Sequence, residues 1–79
     1  MERLSGNEKV VGLKQVRRAV TERHAAVVFL ACDADPRLTE ALEALCNEHG
    51  VETVWDYTMA QLGKACGIAV GTAAAAAMK

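Results

Sequence analysis

Ala25-Ala26-Val27-Val28-Phe29-Leu30-Ala31-Cys32-Asp33-Ala34-Asp35-Pro36 is the stretch that decides the fold. Its first part is apolar without alternation, so a strand over Ala25 to Cys32 must be covered on both faces, as in the middle of a helix-flanked sheet. Two aspartates and a proline end it. Asp35 has the side chain of a helix N-cap, and Pro36 suits the first helical position, where a missing N–H costs nothing. A buried strand leading through a short turn into a helix is the unit of an α/β fold.

The same alternation continues on both sides. Downstream, Leu38, Ala41, Leu42, Leu45 and Cys46 recur at helical spacing and are expected in the core, and Gly50 stops that helix. Val51 to Trp55 reads as a third strand. Thr58 and Gln61 form a capping box, Tyr57 and Leu62 are spaced for its hydrophobic staple, and the helix ends at Gly67. Upstream, Lys9-Val10-Val11-Gly12 is a short strand ending at a glycine. From Leu13 to about Arg23, Leu13, Val16, Ala19 and Val20 make an apolar helical stripe. The tail, Gly71 to Lys79, contains five consecutive alanines, which favour helix by intrinsic propensity. The β-α-β-α-β-α order ahead of it argues instead for a closing strand, packed so closely by helices that only methyl groups fit. Strand is the expectation, within one domain over residues 1–79.

Composition sets the bounds. A chain of 79 residues removes only about 60% of its unfolded surface from water. Its hydrophobic fraction of 52% suffices for one core, and its charged fraction of 24% excludes intrinsic disorder. No apolar run approaches the roughly 20 residues of a membrane helix, and the polar start is no secretory signal. Cys32, Cys46 and Cys66 lack any C-x-x-C pairing and read as buried free thiols of a reducing compartment, the cytoplasm.

The net charge of −1 conceals a segregation. Residues 9–23 hold five cations (Lys9, Lys14, Arg17, Arg18, Arg23) against Glu22, whereas residues 33–56 hold seven acids against Arg37. A concentrated basic stretch is the footprint of an anionic partner, most often nucleic acid, or else a solvated helix face. Catalytic and metal signals are thin. Asp33 and Asp35 resemble a D-x-D magnesium site, but Asp35 is already explained as a cap and no phosphate loop accompanies it. Cys46 and His49 have the spacing of half a zinc site with no second half, and the helical stripe assigns Cys46 to the core. No enzyme, metal or cofactor is expected.

Two features remain. Gly12-Leu13-Lys14-Gln15-Val16-Arg17-Arg18 leads a glycine straight into a helix on which Lys14, Gln15 and Arg18 share a face by their spacing. Free N–H groups and the helix dipole attract phosphate there, and Gln15 can reach base edges. Gly67-Ile68-Ala69-Val70-Gly71 is an apolar loop between glycines. It is either a tight connection with Ile68 and Val70 in the core or a lid over an unstacked base.

The stretches Gly12-Leu13-Lys14-Gln15 with Arg18-Ala19, Ala31-Cys32-Asp33-Ala34-Asp35-Pro36 and Leu62-Gly63-Lys64-Ala65-Cys66-Gly67-Ile68-Ala69-Val70-Gly71 resemble the small bacterial members of the ribosomal protein L-seven-Ae family. The resemblance covers about Val10 to Met78. It implies a three-layer α/β/α sandwich with a four-stranded mixed sheet, and an RNA-binding protein that recognises kink-turns, duplexes bent sharply at a bulge beside sheared G·A pairs. Carried over by position, it implies RNA contacts at Gly12, Leu13, Lys14, Gln15 and Arg18 from the helix start. From the loop it implies Gly67, Ile68, Ala69 and Val70. The implied partner is structured RNA, ribosomal RNA included, bound by a monomer with no membrane contact. Archaeal members carry Asn-Glu at Lys14-Gln15 and a lysine at Arg18, while bacterial relatives share Lys-Gln. Ala69 replaces an acidic residue common in the bacterial loop. Met1 to Glu8 is too short for the long first helix of archaeal members and supplies at most one turn. The alternative is a small protein-interaction or scaffolding domain of the same fold, using the acidic helix face around Glu40, Glu43 and Glu48.

Overall fold

The computed structural model describes residues 8–79. The N-terminal turn allowed to Met1 to Glu8 falls outside them except for Glu8. In chain order the elements are β1 (Lys9–Val11), α1 (Leu13–Thr21), β2 (Ala25–Leu30), α2 (Pro36–His49), β3 (Glu52–Val54), α3 (Met59–Ala65) and β4 (Ala74–Met78). The sheet order is β1-β4-β2-β3. β4 runs antiparallel to both β1 and β2, and β2 pairs parallel with β3. The sheet is mixed and four-stranded.

Two cores lie on its two faces. Val16, Ala19 and Val20 of α1 and Leu42 and Cys46 of α2 meet Val28, Leu30, Ala74 and Ala76. Leu62 of α3 meets Val27, Phe29, Ala31, Ala75 and Ala77 on the opposite face. A register shift between Ala25 and Val27 inserts an extra residue into β2. Ala25 therefore joins the α1/α2 face although Val27, two residues on, belongs to the other.

The alanine tail forms the central strand β4, not a helix. Its methyls from Ala74 to Ala77 are 0–6% exposed, and it hydrogen-bonds to a strand on either side. Pairing on both edges and cover on both faces outweigh a helix propensity worth well under about 1 kcal/mol per residue.

Several expectations change. α2 buries Thr39, Leu42 and Cys46, and half-buried Leu45 packs against the same cluster, but Leu38 is 48% exposed and Ala41 is exposed. A helix lying on a sheet hides one stripe, and apolar residues spaced beyond that stripe face water. β3 stops at Val54, and Trp55 turns its indole N–H onto the Glu43 carboxylate at 3.2 Å. α1 stops at Thr21, and Arg23 takes a left-handed backbone with φ 63°. Of the three free cysteines only Cys46 is buried; Cys66 is half-buried and Cys32 is exposed at the end of β2. Burial, with the Glu43 charge adding to it, pushes the Cys46 thiol up to about 11.

Candidate nucleic-acid interface

β1, β2 and β3 point the same way, because β4 opposes both β1 and β2 while β3 parallels β2. Each is followed by a helix, so α1, α2 and α3 all begin at one edge of the sheet. Their starts are finished differently. Asp35 accepts the Arg37 N–H at 2.9 Å and caps α2. The Arg37 guanidinium, 2.8 Å from the Asp35 carboxylate, and that same N–H hold its carboxyl below the usual range. Thr58 and Gln61 close the capping box of α3 at 3.2 and 2.9 Å, and Asp33 accepts the Met59 N–H at 2.8 Å. The two carboxylates of the D-x-D stretch are thus engaged by two helix starts. Cys46 is 0% exposed, and no metal-type group of three ligands occurs among the described residues.

α1 begins on Gly12, with no side-chain cap and no acid in its first turn. The φ of 101° and ψ of 150° at Gly12 lie in a region that is essentially glycine's alone. A Cβ here would also stand 2.7 Å from Gln15 Oε1, so the Gln15 side chain would have to swing aside. The first-turn amides of α1 are left without a side-chain acceptor at the positive end of the dipole. Lys14, Gln15, Arg17 and Arg18 line one outer groove together with Thr21 and Glu22, which brings together the residues that spacing assigned to a common face. Arg18 donates from Nε to Glu22 at 3.2 Å, with 79% and 48% of the two side chains exposed. Such a pair is worth only about 0.3–0.5 kcal/mol.

The Gly67–Gly71 loop is held against α3. Gly67 leaves the helix at φ 75°. The Ile68 N–H reaches Gly63 O at 3.0 Å and the Thr72 N–H reaches Met59 O at 3.2 Å. A Cβ on Gly71 would sit 3.1 Å from Met59, and one on Gly63 would overlap the carbonyl oxygen of Val70. So bare helix backbone seats the loop, and its side chains point away. Ile68 is 37% and Val70 72% exposed, Gly67 and Ala69 are exposed as well, and the reading of Ile68 and Val70 as core residues is wrong.

One carbonyl joins the loop to the helix start. Ala74 O accepts the Gly12 N–H at 2.9 Å and the buried Thr72 hydroxyl at 3.0 Å. The nine residues suggested by the resemblance therefore fall into two segments anchored on the first residue of β4, with Leu13 partly buried beneath. Sequence reasoning marked Gly71 as one end of the loop but gave no role to Gly63 or Thr72, which with it build the seat. An isolated glycine inside a helical pattern was the available signal.

The model of the Ribosomal protein L7Ae/L30e/S12e/Gadd45 family matches residues 3–79. The chain belongs to that family. L7Ae-family relatives include an RNA-binding protein of Caldanaerobacter subterraneus subsp. tengcongensis, 41% identical over 69 residues, 87% of this chain and 84% of that one. The RNA-binding protein YbxF of Geobacillus stearothermophilus is 41% identical over 76 residues, 96% of this chain and 93% of that one. Among solved structures, the Giardia lamblia 15.5kD RNA binding protein superposes with a TM-score of 0.87 at 29% identity, covering 99% of this chain and 66% of that one. The L7Ae-type fold is the one the resemblance implied.

Proposed function

We propose that this chain binds structured RNA at a kink-turn, as a cytoplasmic monomer without catalytic activity, through the α1 start and the Gly67–Gly71 loop. The observation carrying this reading is the Ala74 carbonyl, which ties the uncapped, cation-bearing helix start to Thr72, the residue that follows the exposed apolar loop. The two halves offer complementary chemistry to one sharply bent duplex. Open amides and Gln15 can meet the polar edges of G·A pairs. Lys14, Arg17 and Arg18 lower the repulsion between phosphates that a bend draws together. Ile68 and Val70 give unstacked bulge bases an apolar surface that needs no base-specific hydrogen bond. A loop already seated on α3 loses little entropy when it closes on those bases. The L7Ae-family relatives described as RNA-binding proteins support the same reading.

Filter binding with a kink-turn RNA, beside the same strands paired without the bulge, tests it. The bulged RNA should bind at least tenfold more tightly. With three cations on α1, log affinity should fall against log salt with a slope of roughly −3. Equal affinity for both RNAs would leave only general phosphate attraction.

A further inference from the structure

α1 and α2 pack on the same face of the sheet but carry opposite charge. α1 presents Lys14, Arg17 and Arg18 with no acid within its span. On α2, Arg37 is paired with Asp35 at 2.8 Å and half-buried Glu43 accepts the Trp55 indole N–H, leaving exposed Glu40 and Glu48 with no cation bound among the described residues. Beside them runs an apolar line that the core takes up only in part: Leu38, 48% exposed, exposed Ala41, and Leu45, half-buried with one side packed against the α1/α2 cluster, at the i, i+3, i+7 positions of one helix side. Leu38 belongs to neither core cluster, and phosphate is repelled by the three glutamates. RNA held by α1 therefore leaves this side of α2 uncovered.

We infer that the Leu38–Ala41–Leu45 side of α2 docks a basic, amphipathic helical segment of a protein partner. The apolar line takes the partner's leucine-type side chains, and Glu40 and Glu48 take flanking lysines or arginines. The 14 residues of α2 extend about 21 Å, room for a segment of similar length. The contact is small, so the partner exchanges quickly and binds weakly alone. The inference rests on the RNA reading only for its claim that both partners are held at once.

The probe is a synthetic amphipathic peptide with leucines at helical spacing on one side and lysines flanking them, titrated into isotope-labelled, RNA-free protein and followed by backbone amide shifts. Shifts should concentrate on residues 37–48 and spare Gly12 and the Gly67–Gly71 loop. Glu40→Lys with Glu48→Lys should weaken binding at least tenfold. Leu38→Ser should weaken it severalfold while leaving the melting temperature unchanged. A second titration with kink-turn RNA present should give the same α2 shifts, and competition there would overturn simultaneous binding alone. The docking inference falls if no α2 shift occurs by peptide concentrations on the order of 1 mM, or if Leu38→Ser binds like the parent. It falls too if α2 shifts track protein concentration alone, which assigns the surface to a second copy of this chain.

Discussion

Gly63→Ala is the substitution on which helix propensity and the loop seat make opposite predictions. In an isolated helix the change gains about 0.8–1 kcal/mol. Here the new methyl would overlap the Val70 carbonyl oxygen and stand 3.0 Å from Gly71 Cα. Both contacts are backbone, so no side chain can swing aside. Overpacking of this kind costs about 1–3 kcal/mol. Lifting the loop instead strains the Ile68-to-Gly63 and Thr72-to-Met59 hydrogen bonds, each worth about 1 kcal/mol. The net expectation is a loss of roughly 1–2 kcal/mol, a melting temperature lower by about 4–8 °C per kcal/mol. Kink-turn affinity per folded molecule should fall about tenfold, because Ile68 and Val70 move with the loop. Gly50→Ala is the control: it ends α2 at φ 68° and a Cβ there meets nothing within 4 Å, so it should cost about 1 kcal/mol of backbone strain and leave affinity per folded molecule unchanged. Calorimetry and filter binding on the three proteins decide the matter. A Gly63→Ala protein that melts higher and binds RNA normally would refute the seat.

Four further outcomes are expected. Gln15→Ala and Arg18→Ala, on the exposed side of α1, should each weaken kink-turn binding by about 1–3 kcal/mol with melting curves close to the parent's; unchanged binding constants would remove that face. Val70→Asp places a carboxylate on a side chain 72% exposed, so the RNA-free protein should melt normally while RNA binding collapses. Arg23→Gly should raise the melting temperature by several degrees, because a left-handed backbone costs a non-glycine residue about 1 kcal/mol at a position where helices ordinarily end in glycine. Asp35 is held below its ordinary value of 3.8 by Arg37, so the stabilisation it gives is full above the carboxylate range and is lost as pH falls through its lowered value. Asp35→Asn keeps a cap but not the ion pair, and its acid-unfolding curve should be shallower than the parent's; identical curves would count against the pairing.

By itself the sequence determined the alternation of strands and helices, because those signals are local. The Asp35-Pro36 start, the Thr58–Gln61 box and the Gly50 stop are read from neighbouring residues and stand in the structure as expected. It also determined the basic first helix and the two glycine-bounded segments of the candidate site. Only the tertiary structure decided which apolar residues are covered. Leu38 and Leu42 are equally suited to a core by composition, and the sheet beneath α2 reaches just one of them. Ile68 and Val70 face water because the backbones at Gly63 and Gly71 fit the loop against α3. The meeting of loop and helix start likewise depends on a strand of alanines between β1 and β2, where a single carbonyl accepts from Gly12 and Thr72. That link joins Gly12 to Ala74, residues far apart in sequence, and local pattern carries no record of it.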